Sequence, residues 1–117
     1  MADTVTDIDT KFITAAITEF YKRAFCDPII GHFFFKLDHS SLIKKQINFS
    51  SSMLGLKNSA YTGKPLAAVH KKLGIRKPHF LRRMVLMEDV LKDLGLADNL
   101  RDMWISKEKK LMDKIVC

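Results

Sequence analysis

The chain has 117 residues, 47% of them hydrophobic and 28% charged, which is the balance of one soluble globular domain spanning 1–117. Its 20 Lys and Arg outnumber 13 Asp and Glu for a net charge of +7. The basic residues are spread along the chain and mix with acids after residue 88, so they describe a solvated surface better than a nucleic-acid stripe.

The start, "MADTVTDIDT", is acidic and polar and lacks the basic-then-apolar order of a secretion signal. Helical periodicity then dominates. A first helix is expected over about 10–26, with Ile13, Ile17, Phe20, Tyr21 and Ala24 on its inner face. It ends at "CDP", because a residue before proline disfavours the helical conformation. "IIGHFFFKL" follows, a compact aromatic stretch too short and too interrupted for a long helix. A second helix begins with Asp38 or Ser40 as N-cap, carries Leu42, Gln46, Phe49/Ser50 and Met53 inward, and stops near Gly55. "KNSAYTGK" reads as loop, and Pro65 and Gly74 bracket the short segment "PLAAVHKKLG". Pro78 starts another helix with Phe80, Met84, Met87, Val90/Leu91 and Leu94 inward, stopped by Gly95. The last runs from Asp98 to about Val116 with Leu100, Met103, Trp104, Leu111 and Ile115. No alternating strand pattern occurs, and the expected class is all-α. No apolar run approaches the roughly 20 residues that cross a bilayer. Cys26 and Cys117 form no spaced pair and read as reduced thiols. A cytoplasmic protein with no membrane partner is expected.

Polar side chains at inward positions carry the functional argument. Tyr21 lies one turn beyond Ile17, where its ring packs and its hydroxyl needs a partner. Gln46 sits on the inner stripe between Leu42 and Met53, and an unsatisfied buried amide costs about 1–3 kcal/mol. It either points out along the stripe's edge or has a buried partner. His70 lies among Leu66, Val69, Leu73 and Ile75, and is either a satisfied core residue or a ligand. Zinc needs three or four ligands at characteristic spacing, which His32, His39, His70, His79 and the cysteines lack. A haem needs one protein imidazole and an apolar slot.

"EFYKRAFCDPIIGHFF", "KKQINFSSSMLG", "YTGKPLAAVHKKLGI" and the later "HF", in this order and spacing, resemble the truncated haemoglobins, the two-over-two globins, and their first group most closely. The similarity runs from about Phe12 to Gly95. It implies a two-over-two helical sandwich around one haem b, and His70 stands at the family's proximal iron ligand. Phe34 matches a phenylalanine packed on the porphyrin, and Lys45 a residue that reaches a haem propionate. Leu42 takes the distal-histidine place of larger globins. Met53, Leu54, Tyr61, Leu66, Val69, Ile75 and Phe80 fall on pocket walls. Tyr21 and Gln46 match the distal pair that hydrogen-bonds the bound gas.

Some positions depart from the family. "TDIDTKFITAAITEFY" lacks its paired glycines, so the first family helix is expected to be short or absent. The second glycine pair is reduced to Gly55-Leu56, and Ser50 replaces a phenylalanine that often gates a ligand tunnel. Arg83 stands where a small apolar residue normally faces the distal pocket. Either its helix rotates to bring Met84 inward, or Arg83 snorkels toward a propionate or solvent.

The resemblance implies reversible O2 binding, with NO and CO as further ligands. Possible activities are dioxygenation of NO to nitrate, served by a separate reductase, or weak peroxidase-like chemistry, in a monomer. His39 is a further candidate to approach the iron. The alternative is a haem-free basic helical module that binds nucleic acid or an acidic partner, with His70, Tyr21 and Gln46 as ordinary core residues.

Overall fold

The computed structural model describes residues 4–56 and 74–115, with side chains through residue 113. Among these residues the helices are α1 (Thr10–Ala24), α2 (His39–Met53), α3 (Lys77–Asp93) and α4 (Asp98–Ile115), with a 3-10 turn at Gly31–Phe34 between α1 and α2. Helix α1 packs against both α2 and α3, and α3 packs against α4, which gives the expected all-α arrangement of two helix pairs. Among the described residues no helix is long and apolar enough to cross a membrane.

Each helix starts and stops for local reasons. The Asp9 carboxylate accepts from Phe12 N–H at 2.8 Å and caps α1. The Asp38 carboxylate does the same for α2, accepting from Ser41 N–H at 3.1 Å, so Asp38 and not Ser40 is the cap. At the start of α3, Arg76 N–H donates to His79 Nδ1 at 2.9 Å, and Pro78 sits in the first turn where its missing N–H costs nothing. Helices α2 and α3 both end in a Schellman turn, with Leu56 N–H on Ser51 C=O and Leu96 N–H on Leu91 C=O. That turn requires a left-handed residue after the cap, supplied by Gly55 (φ 81°) and Gly95 (φ 80°).

No helix precedes Thr10 among the described residues, as the missing glycines implied. Val5 instead pairs with the α3–α4 turn, its N–H on Gly95 C=O at 2.7 Å and its C=O on Ala97 N–H at 2.8 Å. The N-terminal segment therefore closes the far end of the core.

The predicted face of α1 is buried in full: Ile13, Ile17, Phe20, Tyr21 and Ala24, joined by Ala16. It meets Leu86, Met87, Val90 and Leu91 of α3 and the fully buried Trp104 of α4 in one cluster. Each such large apolar side chain contributes about 1.5–3 kcal/mol. Helix α2 keeps only Ser50 of its predicted stripe fully buried. Ser50 and Ser51 are its buried residues, while Leu42, Gln46, Phe49 and Met53 are only half-buried. Small side chains let α2 approach the core closely, and the Ser51 hydroxyl is satisfied by Ile47 C=O at 2.8 Å.

Gly31 marks another close approach. A Cβ there would lie 2.8 Å from Phe25 O and 3.3 Å from Ala24 O, both backbone atoms that cannot swing aside. Gly31→Ala is expected to destabilise the protein by about 1–3 kcal/mol, read as a lowered urea midpoint with an unchanged slope.

Candidate functional site

An apolar cleft opens between the end of α1, the 3-10 turn and the start of α3. It is lined by Tyr21, Ile30, Phe33, Phe34, Ile75, His79, Phe80 and Arg83. Four of the predicted site residues, Tyr21, Phe34, Ile75 and Phe80, thus meet in one place. His70, Tyr61, Leu66 and Val69 lie outside the described residues. Leu42, Lys45, Gln46, Met53 and Leu54 all come from α2 or its C-terminal end and do not line this cleft. Lys45 is exposed, Gln46 is half-buried at the stripe's edge, and Leu42, Met53 and Leu54 pack partly buried against the core.

Tyr21 is held by rings. Phe20 meets it edge-to-face at 4.9 Å between centroids, and Phe34 does so at 5.7 Å. Phe25 lies 5.5 Å from Tyr21 and 5.4 Å from Phe34, which closes a three-ring cluster on the cleft's wall. His39 stacks on Phe25 at 3.7 Å, and its Nε2–H donates to Phe34 C=O at 3.0 Å, which holds the turn against the start of α2.

Asp27 fixes the corner that presents these rings. Its Oδ2 accepts from Ile29 and Ile30 N–H at 3.0 and 3.1 Å, and its Oδ1 accepts from Arg82 Nε and Nη2 at 3.0 and 2.7 Å. The Arg82 bonds, helped by those two backbone donors, hold the Asp27 carboxyl below its ordinary range.

Arg83 is held by an acid on α4. Arg83 and Met84 are both half-buried. The Arg83 Nη1 donates to Glu108 Oε2 at 2.8 Å, and Glu108 Oε1 accepts from the Trp104 indole at 3.0 Å. The guanidinium also covers the Phe20 ring at 4.8 Å from its centroid and lines the cleft together with the Tyr21 phenol. Burial pushes the Tyr21 phenol above its ordinary value. The charge and hydrogen bond of Arg83 oppose that push without overcoming it. Tyr21 therefore stays protonated at neutral pH and able to donate.

Sequence reasoning missed Glu108. It sits one turn beyond Trp104 and is 7% exposed, so α4 buries the row Trp104, Glu108 and Met112, whereas Leu111 of the predicted row is half-buried. A carboxylate four residues after a buried tryptophan is the one signal that pointed to it.

A family model described as bacterial-like globin matches residues 8–116. A group 1 truncated haemoglobin of Tetrahymena pyriformis is 33% identical over 84 residues, 72% of this chain and 69% of the relative. The chain belongs to the truncated haemoglobins, within the bacterial-like globin family. A group 1 truncated haemoglobin of Tetrahymena thermophila is 31% identical over 86 residues, 74% of this chain and 70% of the relative. The crystal structure of the T. pyriformis protein in its Fe(III) form superposes with a TM-score of 0.82 at 26% identity, covering 91% of this chain and 90% of that one. A tyrosine-to-phenylalanine variant of that protein superposes equally well, with a TM-score of 0.82 at 25% identity. The truncated-globin fold that the resemblance implied is thus the fold observed, and a haem cofactor with gas ligands such as O2 follows from the family. The alternative of a haem-free basic module gains no support from these matches.

Proposed function

We propose that this truncated haemoglobin holds one haem b with His70 as the proximal iron ligand and binds O2 reversibly on the side that carries Tyr21 and Gln46. The observation that supports the reading is the cleft. It combines a flat apolar lining from Phe34, Phe80 and Ile75 with one buried, protonated phenol at its edge, which suits an apolar macrocycle bearing a polar gas ligand. On this reading Leu42, Met53 and Leu54 offer apolar surface from α2, Tyr61, Leu66 and Val69 are assigned to the walls from the sequence, and Lys45, which is exposed, is the residue for a propionate. Haem supplies ferrous iron that binds diatomic gases and the one electron by which O2 and NO combine to nitrate. The Tyr21 hydroxyl donates to the gas, the phenyl rings exclude water, and Gln46 adds a second amide donor from α2. NO dioxygenation is the activity proposed first, ahead of weak peroxidase-like chemistry. A separate reductase restores ferrous iron, in a cytoplasmic monomer that also takes CO and NO.

The test is an absorption spectrum after haem reconstitution. A Soret band is expected in the wild type, and His70→Ala is expected to retain haem poorly and lose its proximal ligation. Absence of the band, or normal ligation in His70→Ala, overturns the reading.

A further inference from the structure

The neighbours of Arg83 give it a role. Arg83 lines the cleft from α3, and Tyr21 lines it from α1. One edge of its guanidinium is fixed by Glu108, 25 residues away in sequence, and Glu108 is fixed in turn by the Trp104 indole. One face lies on Phe20. Held at an edge and a face, the group has little freedom to turn, and the Tyr21 phenol lines the same cleft beside it.

The chemistry of the two groups dictates the direction of a hydrogen bond between them. A guanidinium has five N–H donors and no acceptor, whereas a phenol has one proton and an oxygen that accepts. The Tyr21 oxygen is therefore the acceptor, and its proton is left for some other partner. Glu108 balances the charge, so Arg83 acts as an oriented donor and not as a net positive charge in the cleft. A small apolar residue at the same position, as the family normally has, leaves the hydroxyl free to turn its proton either way.

Resting on the haem reading above, we propose that Arg83 is a positioning residue. Braced by Glu108 and Trp104, it occupies the Tyr21 oxygen and commits the tyrosine proton to the gas ligand of the haem pocket. Arg83 thus acts through Tyr21 and does not touch the gas.

Four proteins test this: the wild type, Tyr21→Phe, the pair Arg83→Met with Glu108→Gln, and all three changes together. Changing Glu108 along with Arg83 leaves no carboxylate buried without its partner. The pair is expected to speed O2 dissociation several-fold and to move the C–O stretch of the CO complex toward that of Tyr21→Phe. In the Tyr21→Phe background the same pair is expected to change neither. An unchanged rate and stretch in the pair, or an equal acceleration in the Tyr21→Phe background, overturns the proposal.

A second readout needs no haem: alkaline titration of the phenol in the protein as purified, with the Tyr21→Phe trace subtracted. Arg83 lowers the Tyr21 midpoint more than Glu108 raises it, so the pair is expected to move it upward. A wild type that takes up no haem overturns the haem reading alone. An unmoved midpoint overturns the role of Arg83 whether or not haem binds.

Discussion

Asp27→Ala is expected to lower stability by about 2–4 kcal/mol, a large share of the roughly 5–15 kcal/mol that a domain has in total. The change removes a carboxylate that serves four donors at once: two backbone N–H groups of the corner and two from Arg82. The Ile30 N–H is buried and loses its partner, at about 1–3 kcal/mol. The Arg82 side chain is 34% exposed, so water screens its share and the lower half of the range applies there. The sign with pH follows from the depressed carboxyl. Its contribution is complete above the unfolded value of 3.8 and is lost as pH falls through the lower folded value. Urea unfolding of wild type and Asp27→Asn should therefore differ most at neutral pH and converge in strong acid. A gap that stays constant down to pH 2 contradicts the assignment. The corner also presents Phe33 and Phe34, so Asp27→Ala is expected to loosen haem retention as well.

Asp27 illustrates what a sequence can disclose. Its place before Pro28 was enough to end α1, because that constraint acts between neighbours. Its partner Arg82 lies 55 residues away and becomes its partner only when α3 packs on α1. The inner face of α1 was legible in full, since Ile13, Ile17, Phe20, Tyr21 and Ala24 follow one helical stripe. So were the stops at Gly55 and Gly95, which the left-handed turn demands. The face of α2 was legible only at Ser50, because periodicity counts large apolar residues while close helix approach selects small ones. Ser50 and Ser51 took the buried place, and Leu42, Gln46, Phe49 and Met53 lie half-buried. Arg83 and Glu108 were opaque for a further reason. Each alone is a charge that belongs in water, and their pairing across α3 and α4 lets Glu108 be buried with Arg83 half-buried against it. In the site itself, Tyr21, Phe34, Ile75 and Phe80 line one cleft, whereas the reading of His70 continues to rest on the sequence.

On the proposed function, Tyr21→Phe should speed O2 dissociation tenfold or more. A hydrogen bond to a charged acceptor is worth about 1.5–3 kcal/mol, and each 1.4 kcal/mol is about a factor of ten. Gln46→Leu should have the smaller effect, because Gln46 is half-buried on α2 and does not line the cleft that Tyr21 enters. The fold should tolerate Tyr21→Phe, since Phe25 and Phe34 keep a ring to pack on and Arg83 keeps Glu108. The pH dependence separates hydrogen bonding from mere steric retention of the gas. Only the protonated phenol donates, and burial raises its ionisation above the ordinary value of 10.0. The wild-type rate should therefore stay flat from neutral into moderately alkaline solution and climb only where the phenol ionises. Tyr21→Phe should show no such climb. Stopped-flow displacement of O2 across that range reads both variants. If the two proteins release O2 at the same rate, the tyrosine holds nothing in the pocket and its hydroxyl serves Arg83 alone.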